Sequence, residues 1–476
     1  MNSKSRLIAV LLALTLILAF TLTACQSASD TGDTGSGDTG GSSDPVGDAA
    51  DDPSITTLNL YSFTNEVPNM ALRYAELFPD FKLAINNTIV ATDGGGYQTT
   101  LDTALAGGGA DAPDIYCAEA AFVKKYIQGD MKSYAATYKE LGIDVDALIS
   151  SAGIAQYSVD IGTADNEVVA LGYQATGGAM IYRRSLAIDT WGTDDPEEIK
   201  AKVGPGWDQF WVAAEELKAK GYAIVSGDGD IWHSVENGSD YGWLNDAGQL
   251  VIDPKREQFF DMSKRLKDNG YHNDTVDWEE PWTADMRGEG PKQVFAFFGP
   301  AWLINYVMPT DAPTFGDWAV TEPPVGFFWG GTWVLGNKGS KIKQSAGELI
   351  EWITLDSSAT GLQSYWAAGN LYDGAQHADL QGLYDASSIK KDSVASAVVM
   401  ETADGSLDMM ASQNIFPTFI AANAQASGKN LTQYDETINS LWRDQVREYT
   451  AGNKDKETAI ADFKQRVLDE LGISAA

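Results

Sequence analysis

The sequence predicts an α/β protein of two lobes, preceded by a leader and a polar tether. Three observations carry this. The body opens strand, helix, strand, helix, strand with short connections, the signature of a parallel sheet covered by helices. What remains of the 476 residues after leader and tether is too much for one core. The composition is globular, 44% hydrophobic with aromatic residues throughout.

The leader comes first. Lys4 and Arg6 precede an apolar run from Leu7 to Leu22, which closes on Leu22-Thr23-Ala24-Cys25. The run falls short of the ~20 residues a spanning helix needs and reads as a secretory signal. Leu-Thr-Ala-Cys resembles the lipobox of bacterial lipoproteins, in which cleavage leaves a lipid-modified cysteine. Residues 1–25 are therefore expected to be a signal, and Cys25 the anchor on the extracytoplasmic face of the bacterial membrane. Residues 26–54 are a tether of Ser, Thr, Gly and Asp without Lys or Arg up to Pro53. Such a segment buries too little apolar area to offset its ordering entropy, and its spaced aspartates extend it.

In the body, Thr57 to Phe63 alternates as a strand. Val67, Met70, Ala71, Tyr74, Leu77 and Phe78 follow at helical spacing, with Pro68 in the first turn. Phe81 to Ile85 reads as a second strand, Gly94 to Ala106 as loop and helix, Asp114 to Ala118 as a third strand. In such sheets ligands sit at the carboxyl ends of strands. That puts Asn65, Glu66 and the Asp93–Gly96 loop at a cleft mouth, with Glu119 beyond the third strand. A second region begins near Val168, where Ala170 to Gln174 leads into Met180 to Tyr182. Trp207 to Leu217 is an amphipathic helix ended by Gly221. Tyr222 to Val225 is strand-like and passes into the turn-rich Ser226 to Asp230, which delivers Trp232. Ser345 and Glu348 form a capping box. The chain ends in a helix bearing Ile460, Phe463, Val467 and Leu471, with Gly472 after it.

Several chemistries are disfavoured. A formal charge of −34, from 67 acidic and 33 basic residues, repels nucleic acid and polyanionic ligands. The three histidines are not spaced as metal ligands, and neither metal nor cofactor is expected. Gly331 to Lys338 resembles a phosphate-binding loop but fails, because Asn337 separates glycine from lysine. There is no Gly-x-Ser-x-Gly elbow. With Cys25 used by the lipobox, Cys117 in Ile115-Tyr116-Cys117-Ala118 reads as a buried structural thiol.

Phe63 to Pro68 after the first strand, Trp207-Asp208-Gln209-Phe210, Phe298-Gly299-Pro300-Ala301-Trp302 and Gly330-Gly331-Thr332-Trp333 occur in one order. In that order, together with the lipobox, they resemble the extracellular solute-binding proteins of carbohydrate ABC importers, the family that includes maltose-binding protein. The resemblance covers the chain beyond the tether. It implies a periplasmic-binding-protein-like fold whose chain crosses more than once between lobe I, residues 55–168 and 328–390, and lobe II, residues 169–327 and 391–476. It implies hinge closure on a carbohydrate, delivery to permease subunits, a monomer and no catalysis. Gly-Pro-Ala-Trp carries one alanine more than the family's Gly-Pro-Trp, whose tryptophan stacks on sugar. A sugar offers an apolar face to aromatic rings and a hydroxyl rim to acids and amides. The candidate ligand residues are Asn65, Glu66, Glu119, Gln174, Asp230, Trp232 and Trp302. Asp228 is taken as a turn former. A peptide or polyamine receptor of the same fold, and an exported glycoside hydrolase, are the rival readings.

Overall fold

In the computed structural model, residues 50–376 and 391–476 are described. The expected signal and Cys25, nearly all of the expected tether, and the end of the expected lobe I segment 328–390 lie outside the described residues. Among the described residues no helix is long and apolar enough to cross a membrane.

The larger sheet has five strands in the order Ala84–Ile89, Thr57–Ser62, Ile115–Glu119, Thr332–Gly336 and Ala170–Gly172. The first three run parallel, as the opening pattern predicts. Thr332–Gly336 runs antiparallel to both its neighbours, because it enters from the opposite end on return from the second sheet. Side chains alternate between faces with period two. Leu58, Leu60, Ile115, Cys117 and Val334 face a core shared with helices Glu66–Leu77 and Lys343–Thr354. Tyr116, Ala118, Trp333 and Leu335 face the opposite side, under helices Gly96–Gly107, Val123–Ile127 and Gln156–Gly162. Cys117 is fully buried, and burial pushes its thiol up to about 12, so it is an inert core residue.

The smaller sheet has three antiparallel strands, Ala296–Gly299, Ala179–Arg183 and Trp318–Thr321. Met180, Tyr182, Ala296, Phe298 and Ala319 face a helical layer that includes Trp207–Ala219, Pro254–Asn269, Asp435–Thr450 and Lys456–Leu471. Ile181, Phe297, Trp318 and Val320 face the other way, into the same continuous apolar cluster as Leu58 and Leu60. One core thus runs from sheet to sheet.

Four expectations shift. The second strand begins at Ala84, not Phe81, because Phe78 to Phe81 closes a turn, Phe81 N–H donating to the Phe78 carbonyl at 2.9 Å. Ala170–Gly172 belongs to the five-stranded sheet, although the sequence reading assigned residue 169 onward to lobe II. Ala395 and Val399 likewise join the core around Leu58, although 391–476 was assigned to lobe II. The capping box does not form: Asp51 supplies the carboxylate instead, accepting from Gln344 N–H at 2.9 Å and Ser345 N–H at 3.2 Å.

Candidate functional site

Two connections join the sheets, and they are bonded to each other. Residues 173–178 lead from Ala170–Gly172 to Ala179–Arg183, and residues 322–331 lead from Trp318–Thr321 back to Thr332–Gly336. Gly178 N–H donates to the Phe327 carbonyl at 2.8 Å, Trp329 N–H to the Thr176 carbonyl at 3.0 Å, and the Thr176 hydroxyl to the Gly330 carbonyl at 2.7 Å. A third segment, 391–396, runs alongside, with Ala395 N–H donating to the Tyr173 carbonyl at 2.9 Å.

An aromatic platform stands at this junction. Trp302 follows the strand end at Gly299 and lies parallel to Trp278, with ring centres 5.9 Å apart and planes 9° from parallel. Trp329, on the return connection, meets both edge-on, at 5.0 Å from Trp302 and 5.6 Å from Trp278. His233 stacks on Trp329 at 4.6 Å. The Trp302 indole N–H donates to the Trp329 carbonyl at 3.1 Å, which fixes one ring against the other's backbone. Trp278 remains 60% exposed, whereas Trp302 and Trp329 are half-buried.

Glu119 reaches the same place from the larger sheet, where it pairs in register with Thr332. A Cβ on Gly330 would lie 3.3 Å from Glu119 Oε1 and 3.8 Å from the Trp302 ring, so carboxylate, backbone and indole share one neighbourhood. Gly330 sits at φ +68° and Gly331 at +116°, a backbone path that side-chain-bearing residues rarely follow. Burial is the largest effect on the Glu119 carboxyl, the Ala121 N–H opposes it at 2.7 Å, and the group titrates at about 7.

A second polar cluster grips the connections. Tyr173 OH donates to Glu66 Oε2 at 2.5 Å, and the adjacent Gln174 side chain donates to Asp392 Oδ2 at 2.7 Å. Asp392 is fully buried and accepts the Ser393 N–H at 2.7 Å. Its carboxyl is pushed up to about 7, chiefly by burial and further by Glu66, against the opposing Ser393 and Gln174 bonds.

The structure therefore brings Glu119 and Trp302 together, and links Glu66 and Gln174 through consecutive residues of one connection. Asn65 is exposed at the N-cap of Glu66–Leu77 and makes no capping bond with its side chain. Two candidates are corrected. Trp232 is 1% exposed and packs on Phe259 inside the helical layer, so no ring face is left for a solute. Asp230 is buried and accepts from Ser226 N–H at 2.8 Å, Gly227 N–H at 3.0 Å and the Trp282 indole N–H at 3.0 Å. The expected turn is instead the start of helix Gly229–Asn237, whose register turns Ile231, Trp232 and Val235 inward. Trp278, Trp329 and His233 were absent from the candidates. The available signal was the Trp329-Gly330-Gly331 run, whose glycines mark a close backbone passage.

Apart from the platform, a surface groove of about 450 Å³ is lined by Asp208, Trp211, Glu215, Arg265 and Tyr271 among others. It shares no residue with the platform and none of the candidates.

The family described as bacterial extracellular solute-binding protein matches residues 76–381, more than half of the chain. No curated protein sequence matches. Among solved structures, an extracellular solute-binding protein of family 1 is similar at 17% identity and TM-score 0.70, covering 87% of this chain and 99% of the other. The galacto-N-biose-/lacto-N-biose I-binding protein of the ABC transporter from Bifidobacterium longum is similar at 15% identity and TM-score 0.63, covering 90% and 100%. The sugar-binding protein MalE from Xanthomonas citri is similar at 13% identity and TM-score 0.63, covering 87% and 97%. These likenesses carry the two-lobe periplasmic-binding-protein-like fold. With that fold and that family match, the chain belongs to the bacterial extracellular solute-binding proteins.

Proposed function

We propose that this protein is a lipid-anchored extracytoplasmic receptor that captures a carbohydrate, an oligosaccharide in particular, and delivers it to the permease subunits of an ABC importer. It acts as a monomer, and no bond is made or broken. The observation that carries the reading is the Trp278–Trp302–Trp329 platform beside Glu119 at the sheet-to-sheet junction. Indole faces cover the CH face of a pyranose, and a neighbouring carboxylate accepts its hydroxyls. The structural relatives support it: the B. longum protein was solved with lacto-N-biose, and a B. animalis subsp. lactis binding protein with beta-1,6-galactobiose. The acidic balance of the chain disfavours anionic sugars.

The test is calorimetry and thermal shift of the protein beginning after Cys25, against mono- and oligosaccharides, with peptides and polyamines as controls. A saccharide at about a hundred times its Kd adds about 2.7 kcal/mol, a shift of several degrees. Saccharide binding without release of reducing sugar is the expected result. A shift with a polyamine alone, or steady release of reducing sugar, overturns it.

A further inference from the structure

Trp278 is an anomaly in its own backbone. It sits at φ +71°, a conformation that is strained for a bulky residue and persists only where the surroundings over-determine it. Yet the side chain is 60% exposed, so its own burial is not what holds it. The support comes from the residues that precede it in the loop. Asp277, its immediate neighbour, forms a two-pronged ion pair with Arg443 from helix Asp435–Thr450; Arg443 Nη1 donates to Asp277 Oδ2 at 3.0 Å and Nη2 to Oδ1. Both side chains are largely buried, at 17% and 10% exposure. Burial pushes the Asp277 carboxyl upward, but the guanidinium more than offsets this and leaves it below the usual carboxylate range. Upstream, Thr275 Oγ1 lies 2.6 Å from the Ser226 hydroxyl, and Asn273 N–H donates to the Ser226 carbonyl at 3.0 Å.

The Gly-Asp stretch, which sequence reading took as a source of ligands, is the seat of this loop. A Cβ on Gly227 would fall 2.2 Å from the Thr275 carbonyl oxygen, and one on Gly229 2.6 Å from Asp277 Oδ1 and 2.7 Å from Arg443 Nη2. Asp230 in turn holds the Trp282 indole, and Trp282 touches Trp278 at 5.8 Å between ring centres.

We propose that the buried Asp277–Arg443 pair, seated over Gly229, is a positioning device that holds Trp278 parallel to Trp302 and so pre-forms the solute-stacking surface. The proposal rests on the carbohydrate reading for its purpose but not for its geometry. Arg443 touches no solute; it acts through Asp277 on the backbone that aims Trp278. Without it, Trp278 relaxes to an ordinary φ and the stacked pair is lost, so a solute must first order the ring.

Indoles in contact couple their transitions and, where these cross at an angle, give an exciton couplet in circular dichroism; Trp278 meets Trp329 at 72° and Trp282 at 49°, so its placement is readable with no solute present. The Trp278 couplet is assigned by its loss in Trp278→Phe. Arg443→Met is expected to abolish it and to weaken saccharide binding about tenfold. Gly229→Ala, which keeps both charged partners and crowds them, is expected to do the same with a smaller effect on melting temperature, and it serves if Arg443→Met does not fold. Asp277→Asn with Arg443→Gln, a neutral amide pair, is expected to restore part of the couplet. A couplet that survives in folded Arg443→Met or Gly229→Ala, or a wild-type spectrum without one, overturns the proposal. Loss of the couplet in a protein that binds no saccharide keeps the positioning role and overturns only the choice of solute.

Discussion

The tryptophan platform and the carboxylate cluster on the connections are made of opposite materials and are held in opposite ways. The platform is apolar, open to solvent at Trp278, and assembled from the segment between helices Pro254–Asn269 and Glu280–Met286 and from the segments that follow strands Ala296–Gly299 and Trp318–Thr321. The cluster of Tyr173, Gln174, Glu66 and Asp392 is polar and centred on a fully buried carboxylate. Aromatic faces gain by being covered, so leaving them open stores binding free energy for a solute. Buried carboxylates have already given up water, and their hydrogen bonds fix backbone instead. One region is therefore suited to recognition, and the other to setting how the sheets are joined.

Substitutions can break this division or sharpen it. The largest effect is expected from Trp302→Ala, which removes a stacking face and the bond to the Trp329 carbonyl. Saccharide affinity by calorimetry should fall tenfold or more, about 1.4 kcal/mol or above, and an unchanged Kd would remove Trp302 from the platform's function. Asp392→Asn should come next and act on stability. A carboxyl that titrates near 7 in the folded chain and near 4 unfolded takes up a proton on folding, so stability is highest at low pH and is lost as pH rises through about 7. Between about pH 4 and 7 the melting temperature should fall less steeply in the variant than in the wild type. An identical pH slope would show that Asp392 does not contribute to it. Gln174→Ala should cost about 1–2 kcal/mol, because it removes one of the donors to the buried Asp392 carboxylate, and should lower the melting temperature with little change in intrinsic stacking. Trp232→Phe should do least to binding: urea denaturation should register about 1–2 kcal/mol for the lost core volume, while the saccharide Kd stays put. A large loss of affinity there would reinstate Trp232 as a ligand.

The opening α/β pattern was legible because two-residue and helical periodicities are local and strong, as in Leu58 and Leu60 on one face of a strand. The return strand Thr332–Gly336 carries no mark of its direction, since antiparallel pairing with Ile115–Glu119 depends on a chain crossing more than two hundred residues later. The candidate site divided along the same line. Glu119 was reached through the strand-end rule and Trp302 through a family motif, and both lie beside Gly330. Trp232 was misplaced because Ser226 to Asp230 reads as a turn, when Asp228 sits at the N-cap and the helix starts one residue later. Trp278 was not chosen as a candidate for a different reason. Nothing in Val276-Asp277-Trp278-Glu279 announces a positive φ, and the partner that sustains it, Arg443, comes from a helix far along the chain.

The bonds between the two connections have a mechanical corollary. Because 176–178 and 327–330 are stitched together, they behave as the two leaves of one spring rather than as separate strings. A bend imposed on one must be shared by the other, or the stitches part. Trp329 belongs to the outer leaf and Gly330, beside Glu119, is tied to Thr176 on the inner one. Trp329 and Gly330 are both bonded to Thr176, so a push on the ring and a pull on the carboxylate beside Gly330 would load the same pair of connections.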